Sequence, residues 1–423
     1  MPSSAFTIKT HTFPGQHIRH FARGNLHHDE DTQRLEAKQY IPLSNPTPSD
    51  GDITILAAGA ISFPKEVYEP FWDALVQHCA HLGLGIRSVW TLDRSDHAAS
   101  ATLNENVLGD DQSPFDLARD ILLMTNIFRD EFTLPIVGFG HSMGGTALME
   151  LARLHPRLLA SLVLIDPIVG PDVNKIGIPL VYGAAQRPDL WDSREEAEKF
   201  FRESGGMKRW HPGALGAYLE FGLRGTSRGS PSEAGKVTLS TSKARESFAY
   251  VRPLFDESAL EGKNEEARER RLAKYPDWHP SMSGRFYRGE SLTVWNDLPT
   301  LRPSVLYLFP QYGPFGTERQ LEGFISRTGV GQGGSGGRTA GRVRGEVMQG
   351  QGHLVPVEAP DACAEVVAKY WVDELESWHR RRSIAKEDAD RKSVEDGAVL
   401  SDEWKRQAKQ WYREHPPKGR SKI

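Results

Sequence analysis

Residues 135–170 read PIVGFGHSMGGTALMELARLHPRLLASLVLIDPIVG, and this stretch decides the fold. Ile136 to Phe139 is an apolar run that stops at a glycine, Thr146 to His155 has helical spacing, and Leu162 to Ile165 is a second apolar run. A strand, a crossover helix and a parallel strand therefore follow one another. Where the first strand meets the helix, Gly140-His141-Ser142-Met143-Gly144 has the spacing G-x-S-x-G. On a sharp strand-to-helix turn, larger side chains two places either side of the serine would collide, and its hydroxyl projects above the sheet edge. The helix N-terminus and the N–H of Met143 then face the place where negative charge develops on a carbonyl oxygen. The spacing recurs at Gly225–Gly229 and Gly333–Gly337, but in polar, turn-rich segments. Context selects Ser142 as the nucleophile.

The same alternation extends outward. Ile53 to Leu56 and Ile86 to Trp90 read as strands, and Val67, Phe71, Leu75 and Cys79 mark one helical face. Leu117, Ile121, Met124 and Phe128 mark another, opened by Ser113-Pro114 in cap position. From 172 to 300 the alternation stops and fifteen aromatic residues gather, with a capping box at Ser193. This segment reads as a helical lid inserted between strands six and seven. Val305 to Phe309 and Val343 to Met348 resume the strands. The expected division is an N-terminal extension over 1–50, a core over 51–171 and 301–375, the lid over 172–300, and a charged helical tail over 376–423. The loop at 329–345, GVGQGGSGGRTAGRVRG, reads as a surface connection, since no Gly-Lys-Ser/Thr leads from it into a helix.

Composition removes several classes of function. Among 423 residues, 52 Lys and Arg face 56 Asp and Glu, leaving a net charge of -4 and no basic excess for nucleic acid. Cys79 and Cys363 are the only cysteines, which excludes a disulfide framework and a four-cysteine zinc site. His27-His28-Asp29-Glu30-Asp31 has metal-ligand residue types without ligand spacing, and reads as a solvated loop. No cofactor or metal is implied. No run approaches the roughly 18 apolar residues of a transmembrane segment, and the N-terminus lacks the pattern of a secretory signal. The chain ends Ser421-Lys422-Ile423, a variant of the Ser-Lys-Leu address, so a peroxisomal import receptor is an expected partner.

A serine hydroxyl needs a general base, and on this architecture the order is Ser, then Asp or Glu, then His. Of His211, His279, His353 and His379, only His353 stands in a loop after the last strand, in Gly350-Gln351-Gly352-His353. Asp166, directly at the end of LVLID, is the acid, with Glu318 as runner-up. The second oxyanion donor belongs to Gly59–Phe63, where the N–H of Ile61 is chosen. His141 reads as packing.

These residues resemble α/β-hydrolases of the fungal peroxisomal type, a group that takes in the acyl-CoA hydrolase of mycophenolic acid biosynthesis, hydrolases of host-selective toxin clusters and the yeast peroxisomal lipase. The resemblance is carried by FPKEVYEPFWDAL at 63–75, SATLNENVLGDD at 100–111, the 135–170 block, RPDLWDSREEAEKFF at 187–201 and GQGHLVPVEAP at 350–360. It implies an α/β-hydrolase fold, a mostly parallel sheet flanked by helices, and a triad of Ser142, Asp166 and His353. One departure is Gly59–Ser62, where relatives tend to carry His-Ala-Asn-Gly. The expected activity is that of a serine hydrolase releasing a hydrophobic acid from an acyl-CoA in secondary-metabolite biosynthesis. A peroxisomal lipase or carboxylesterase is the alternative, and a non-catalytic ligand-binding protein the minor one. Arg327, Arg338, Arg342 and Arg344 are the candidates for the CoA phosphates. Dehalogenase and epoxide-hydrolase chemistry is disfavoured, because it needs a carboxylate where this chain has Ser142.

Overall fold

The structure, a computed structural model, describes residues 4–170, 174–226, 235–256, 264–279, 282, 284–313 and 318–416. Eight strands make the main sheet: β1 Phe6–Pro14, β2 Arg34–Pro42, β3 Ile53–Ala58, β4 Ile86–Leu92, β5 Ile136–His141, β6 Ser161–Ile165, β7 Ser304–Tyr312 and β8 Val343–Gly352. They lie in the order β1-β2-β4-β3-β5-β6-β7-β8. Every pair from β4 to β8 is parallel, and β2 runs antiparallel to both of its neighbours. All residues of β3, β5 and β6 are buried. Strands covered on both faces are unbroken apolar runs, which is why they stand out in the sequence. Their parallel course brings the C-terminal ends of β3 to β8 to one edge, where strand-to-helix loops form sites.

Helices α1 Glu69–His81, α2 Ala98–Leu103, α3 Pro114–Ile127 and α4 Met143–Leu154 connect the central strands. As expected, Ser113 caps α3: its Oγ accepts the Phe115 N–H, and Asp116 closes the capping box. Within the expected N-terminal extension, Phe6–Pro14 and Arg34–Pro42 supply β1 and β2 of the sheet itself. These strands escaped the sequence reading because β2 turns charge inward: Lys38 is buried 3.0 Å from Glu66, and neighbouring Lys65 bridges Glu36 and Asp93 at 2.8 and 2.6 Å. A buried strand carrying ion pairs has no apolar alternation to read.

Between β6 and β7 lie α5 Asn174–Gln186, α6 Arg194–Glu203, α7 Pro212–Phe221, α8 Lys243–Tyr250, α9 Glu265–Lys274 and α10 Gly289–Asp297. Ser193 caps α6, accepting the Glu196 N–H at 3.2 Å. This insertion is less purely helical than expected. Leu190–Trp191, Val237–Leu239 and Leu223–Gly225 form a small sheet, and Arg252–Pro253 pairs with Phe286–Tyr287. Strands of two or three residues are too short to show a period.

The chain continues with α11 Glu318–Arg327, α12 Val355–Glu358 and α13 Pro360–Asp390. It divides into two compact units, Met1–Val372 and Asp373–Ile423. The second holds the end of α13, then α14 Val394–Ala398 and α15 Asp402–Glu414, where Trp404 and Trp411 are exposed. Ser421, Lys422 and Ile423 lie outside the described residues. Cys79 and Cys363 are free and buried, and burial pushes both thiols up, Cys79 to about 12. No helix among the described residues is long and apolar enough to cross a membrane.

Candidate active site

Ser142 sits between β5 and α4 with φ 56° and ψ -124°. A non-glycine residue in that region costs roughly 1–3 kcal/mol, so its surroundings must hold it there. They do so through the main chain. The Ser142 N–H donates to the Ile165 carbonyl at 2.9 Å, and its own carbonyl accepts from Gly145 and Ile168 at 3.0 and 3.2 Å. Close packing explains the flanking glycines: a Cβ on Gly144 would lie 2.0 Å from the Ala58 oxygen, and one on Gly140 2.7 Å from the Gly145 Cα. The helix start can thus press onto the end of β3 only without a side chain.

Asp166 follows β6, fully buried at φ 39°, with its N–H given to Leu308 at 3.0 Å. One carboxylate oxygen, Oδ2, lies 2.6 Å from His353 Nδ1. The carboxylate accepts, so Nδ1 carries the proton and Nε2 presents its lone pair. His353 follows β8 with its side chain about a quarter exposed at 24%. The structure thus joins two of the expected triad residues directly and hangs both beside the elbow. The runner-up acid, Glu318, has a side chain outside the described residues.

Ile61 and Met143, the expected oxyanion donors, come together in one apolar cluster with Ala249, flanked by Ile168 and Tyr250. Ala60 is removed from contention, because its N–H donates to the Tyr68 hydroxyl at 2.9 Å. Next to it, Ser62 has φ 82°, and its Oγ is hydrogen-bonded to the Tyr250 hydroxyl of α8 at 2.8 Å. The loop after β3 is therefore held by the core on one side and by the insertion on the other.

A family model described as the alpha/beta hydrolase family matches residues 55–366. The chain belongs to this family. A type I acyl-CoA thioesterase of Penicillium brevicompactum, mpaH', is 34% identical over 421 residues, covering 93% of this chain and 94% of that protein. An abhydrolase domain-containing protein of Alternaria alternata, AFT2-1, is 27% identical over 58% of this chain and 86% of its own length. Among solved structures, the peroxisomal alpha-beta-hydrolase Lpx1 of Saccharomyces cerevisiae superposes with a TM-score of 0.67 at 17% identity, covering 98% of this chain and 100% of that one. The protein is a hydrolase of thioester or ester bonds.

In this α/β-hydrolase Tyr68 and His141 also bear on the site. His141 is not inert packing, because both of its ring nitrogens are engaged: Nδ1 with the Tyr68 hydroxyl at 2.7 Å and Nε2 with the His353 carbonyl at 2.8 Å. Burial and the neighbouring His353 lower its pKa to about 3. Tyr68, fully buried ahead of α1, had no sequence signal beyond lying among apolar residues. The arginine candidates belong elsewhere. Val343 pairs with Val305 at the N-terminal ends of β8 and β7, so Arg342 and Arg344 lie at the edge of the sheet opposite the elbow. At roughly 3.3 Å per residue, that is about 30 Å along β8 from His353. Arg338 is spent on Glu322 through two hydrogen bonds of 3.0 and 2.6 Å, and Arg327 lies over the Trp295 ring at 4.9 Å. The glycine-rich segment is a surface connection at the far edge.

Proposed function

We propose that Ser142, His353 and Asp166 form the catalytic triad of an acyl-CoA thioesterase that frees a hydrophobic acid. The observation that carries this reading is the 2.6 Å bond between His353 and Asp166, held beside a strained serine at the start of α4. His353 Nε2 takes the Ser142 proton as Oγ attacks the thioester carbonyl. The oxyanion is met by the N–H groups of Met143 and Ile61, and His353 protonates the departing thiolate. Water, deprotonated by the same imidazole, then attacks the acyl-enzyme, the imidazolium returns that proton to Ser142 Oγ as the acyl–oxygen bond breaks, and Asp166 stabilises each imidazolium without taking its proton.

The apolar cluster of Ile61, Met143 and Ala249 supports a hydrophobic acyl chain, with α8 of the insertion, which supplies Ala249 and Tyr250, as the part of the lid next to it. The thioester preference is supported by the likeness to mpaH' along nearly the whole chain. With the glycine-rich segment at the wrong edge, the place left for the CoA phosphates is a cavity of about 520 Å³ lined by Arg224, Arg245, Ser240, Ser242 and Glu105, where phosphate would compete with Glu105 for Arg224, now 2.6 Å apart, and with the Leu108 and Gly109 carbonyls for Arg245. One wall of it is tied to α2, on the site's edge of the sheet, by the Ala98 N–H donating to Thr241 at 2.9 Å. Peroxisomal import through Ser421-Lys422-Ile423 and a place in secondary-metabolite biosynthesis complete the reading.

The test is thiol release from long-chain and aromatic acyl-CoAs beside matching esters. Thioester turnover should fall at least about 10⁴-fold in Ser142→Ala. Arg245→Glu should raise KM for acyl-CoA roughly 10- to 100-fold, the worth of a charged hydrogen bond, and leave ester turnover in place. Turnover of esters alone would move the assignment to a lipase or carboxylesterase. A fluorescent fusion that stays cytosolic with the last three residues intact would remove the peroxisome from it.

A further inference from the structure

We infer that Tyr68 and His141 are a positioning pair that sets the oxyanion loop and the base loop together. The inference rests on the triad proposed above and concerns residues outside it. The His353 carbonyl can only accept, so His141 Nε2 carries a proton. In a neutral imidazole Nδ1 must then accept, so the Tyr68 hydroxyl gives its proton to Nδ1. The remaining lone pairs of that hydroxyl receive the Ala60 N–H. A single directed chain results, running from Ala60 N–H through Tyr68 O–H to His141, and from His141 Nε2–H to the His353 carbonyl. The low pKa of His141, about 3, agrees with a ring that stays neutral throughout the working range.

A satisfied core histidine would need any two partners. This one reaches both loops: the base loop directly at the His353 carbonyl, and the oxyanion loop through the Tyr68 hydroxyl, which takes the Ala60 N–H. His353 is pinned at two points, its carbonyl by His141 and its Nδ1 by Asp166 at 2.6 Å, which together aim Nε2. At the other end, Tyr68 occupies the Ala60 N–H and leaves Ile61 as the next donor along the loop. The loops are far apart in sequence, and this pair links residues 60 and 353. An error of about 1 Å in such a constellation costs on the order of 100-fold in rate.

The experiment measures the rate at which a small fluorophosphonate labels Ser142 in the full-length wild type and in Tyr68→Phe, His141→Leu and His141→Gln, with melting temperatures alongside. Labelling needs the nucleophile, the base and the oxyanion donors but not the natural substrate. His141→Leu should label about 100-fold more slowly, and Tyr68→Phe about 10- to 100-fold more slowly. His141→Gln should recover to within about tenfold of wild type, because its amide N–H replaces Nε2–H toward the His353 carbonyl. Recovery by Gln beside failure of Leu, at similar melting temperatures, is a result that a purely structural role does not give. If Leu and Gln slow labelling equally, or if all three variants label at the wild-type rate, the pair does not position the site. Tyr68→Phe removes one oxygen and keeps the comparison readable should His141→Leu not fold. A folded wild type that fails to label would instead overturn the serine-hydrolase reading and this inference with it, an outcome separate from equal rates among labelled proteins.

Discussion

The elbow at Gly140–Gly144 and the loop segment at Gly333–Gly337 share the spacing G-x-S-x-G, and they use it in opposite ways. At the elbow the serine holds the unusual backbone, φ 56°, and the glycines make room: Gly144 has no space for a Cβ beneath Ala58. In the loop the glycines bend, with φ 91° at Gly336 and 64° at Gly337, while the Ser335 N–H donates to Leu301 at 2.9 Å in an ordinary turn. One arrangement stores strain in the backbone of the residue proposed as the nucleophile. The other spends conformational freedom on turning a chain at the far edge of the sheet. A spacing becomes a site through what surrounds it: an apolar strand before, a helix after, and a loop of another strand pressed against it.

Four changes test that contrast, and the largest effect belongs to the elbow. Gly144→Ala puts a Cβ 2.0 Å from a main-chain oxygen, so β3 or α4 must move. We expect a loss of about 3 kcal/mol or more, measured by denaturant unfolding, or no soluble protein. Acid is next. The folded chain keeps His141 neutral down to about 3, whereas the unfolded chain takes up a proton near the ordinary 6.5. The stability from this group is present above pH 6.5 and is lost as pH falls toward 3, by at most about 1.4 kcal/mol per pH unit. His141→Gln removes that dependence, so its melting temperatures at pH 5 and pH 7 should lie closer together than those of the wild type.

The loop should respond more weakly. Gly341 has φ 69° and open space around its Cβ direction, so Gly341→Ala costs only backbone strain, about 1–2 kcal/mol, with hydrolysis intact. Smallest of all is charge reversal of Arg338, Arg342 and Arg344 together. The Arg338–Glu322 pair is half exposed on both sides, worth below about 1 kcal/mol, and thioester turnover should stay within about twofold. A steep fall in turnover there would erase the contrast and return the phosphates to the glycine-rich segment.

What could be read from the sequence follows from the range of the interactions. The central strands, the elbow, Asp166 at the end of its strand and His353 after the last one are local patterns of apolar runs and turn residues. Tyr68 and His141 are 73 residues apart and meet through one hydrogen bond, which leaves no period in either segment. The inward charges of β2 hid a strand for the opposite reason, since the partners of Lys38 and Glu36 lie in the turn before α1. The place of the arginines follows from chain order as well: a loop that precedes a parallel strand enters it at the N-terminal end, the edge opposite the elbow.

The buried thiols have a practical consequence. Burial pushes the Cys79 thiol up to about 12, and Cys363 is sealed in the core, so neither offers a ready thiolate at neutral pH. A colorimetric thiol reagent should therefore report thiol released from a substrate rather than the folded protein's own cysteines.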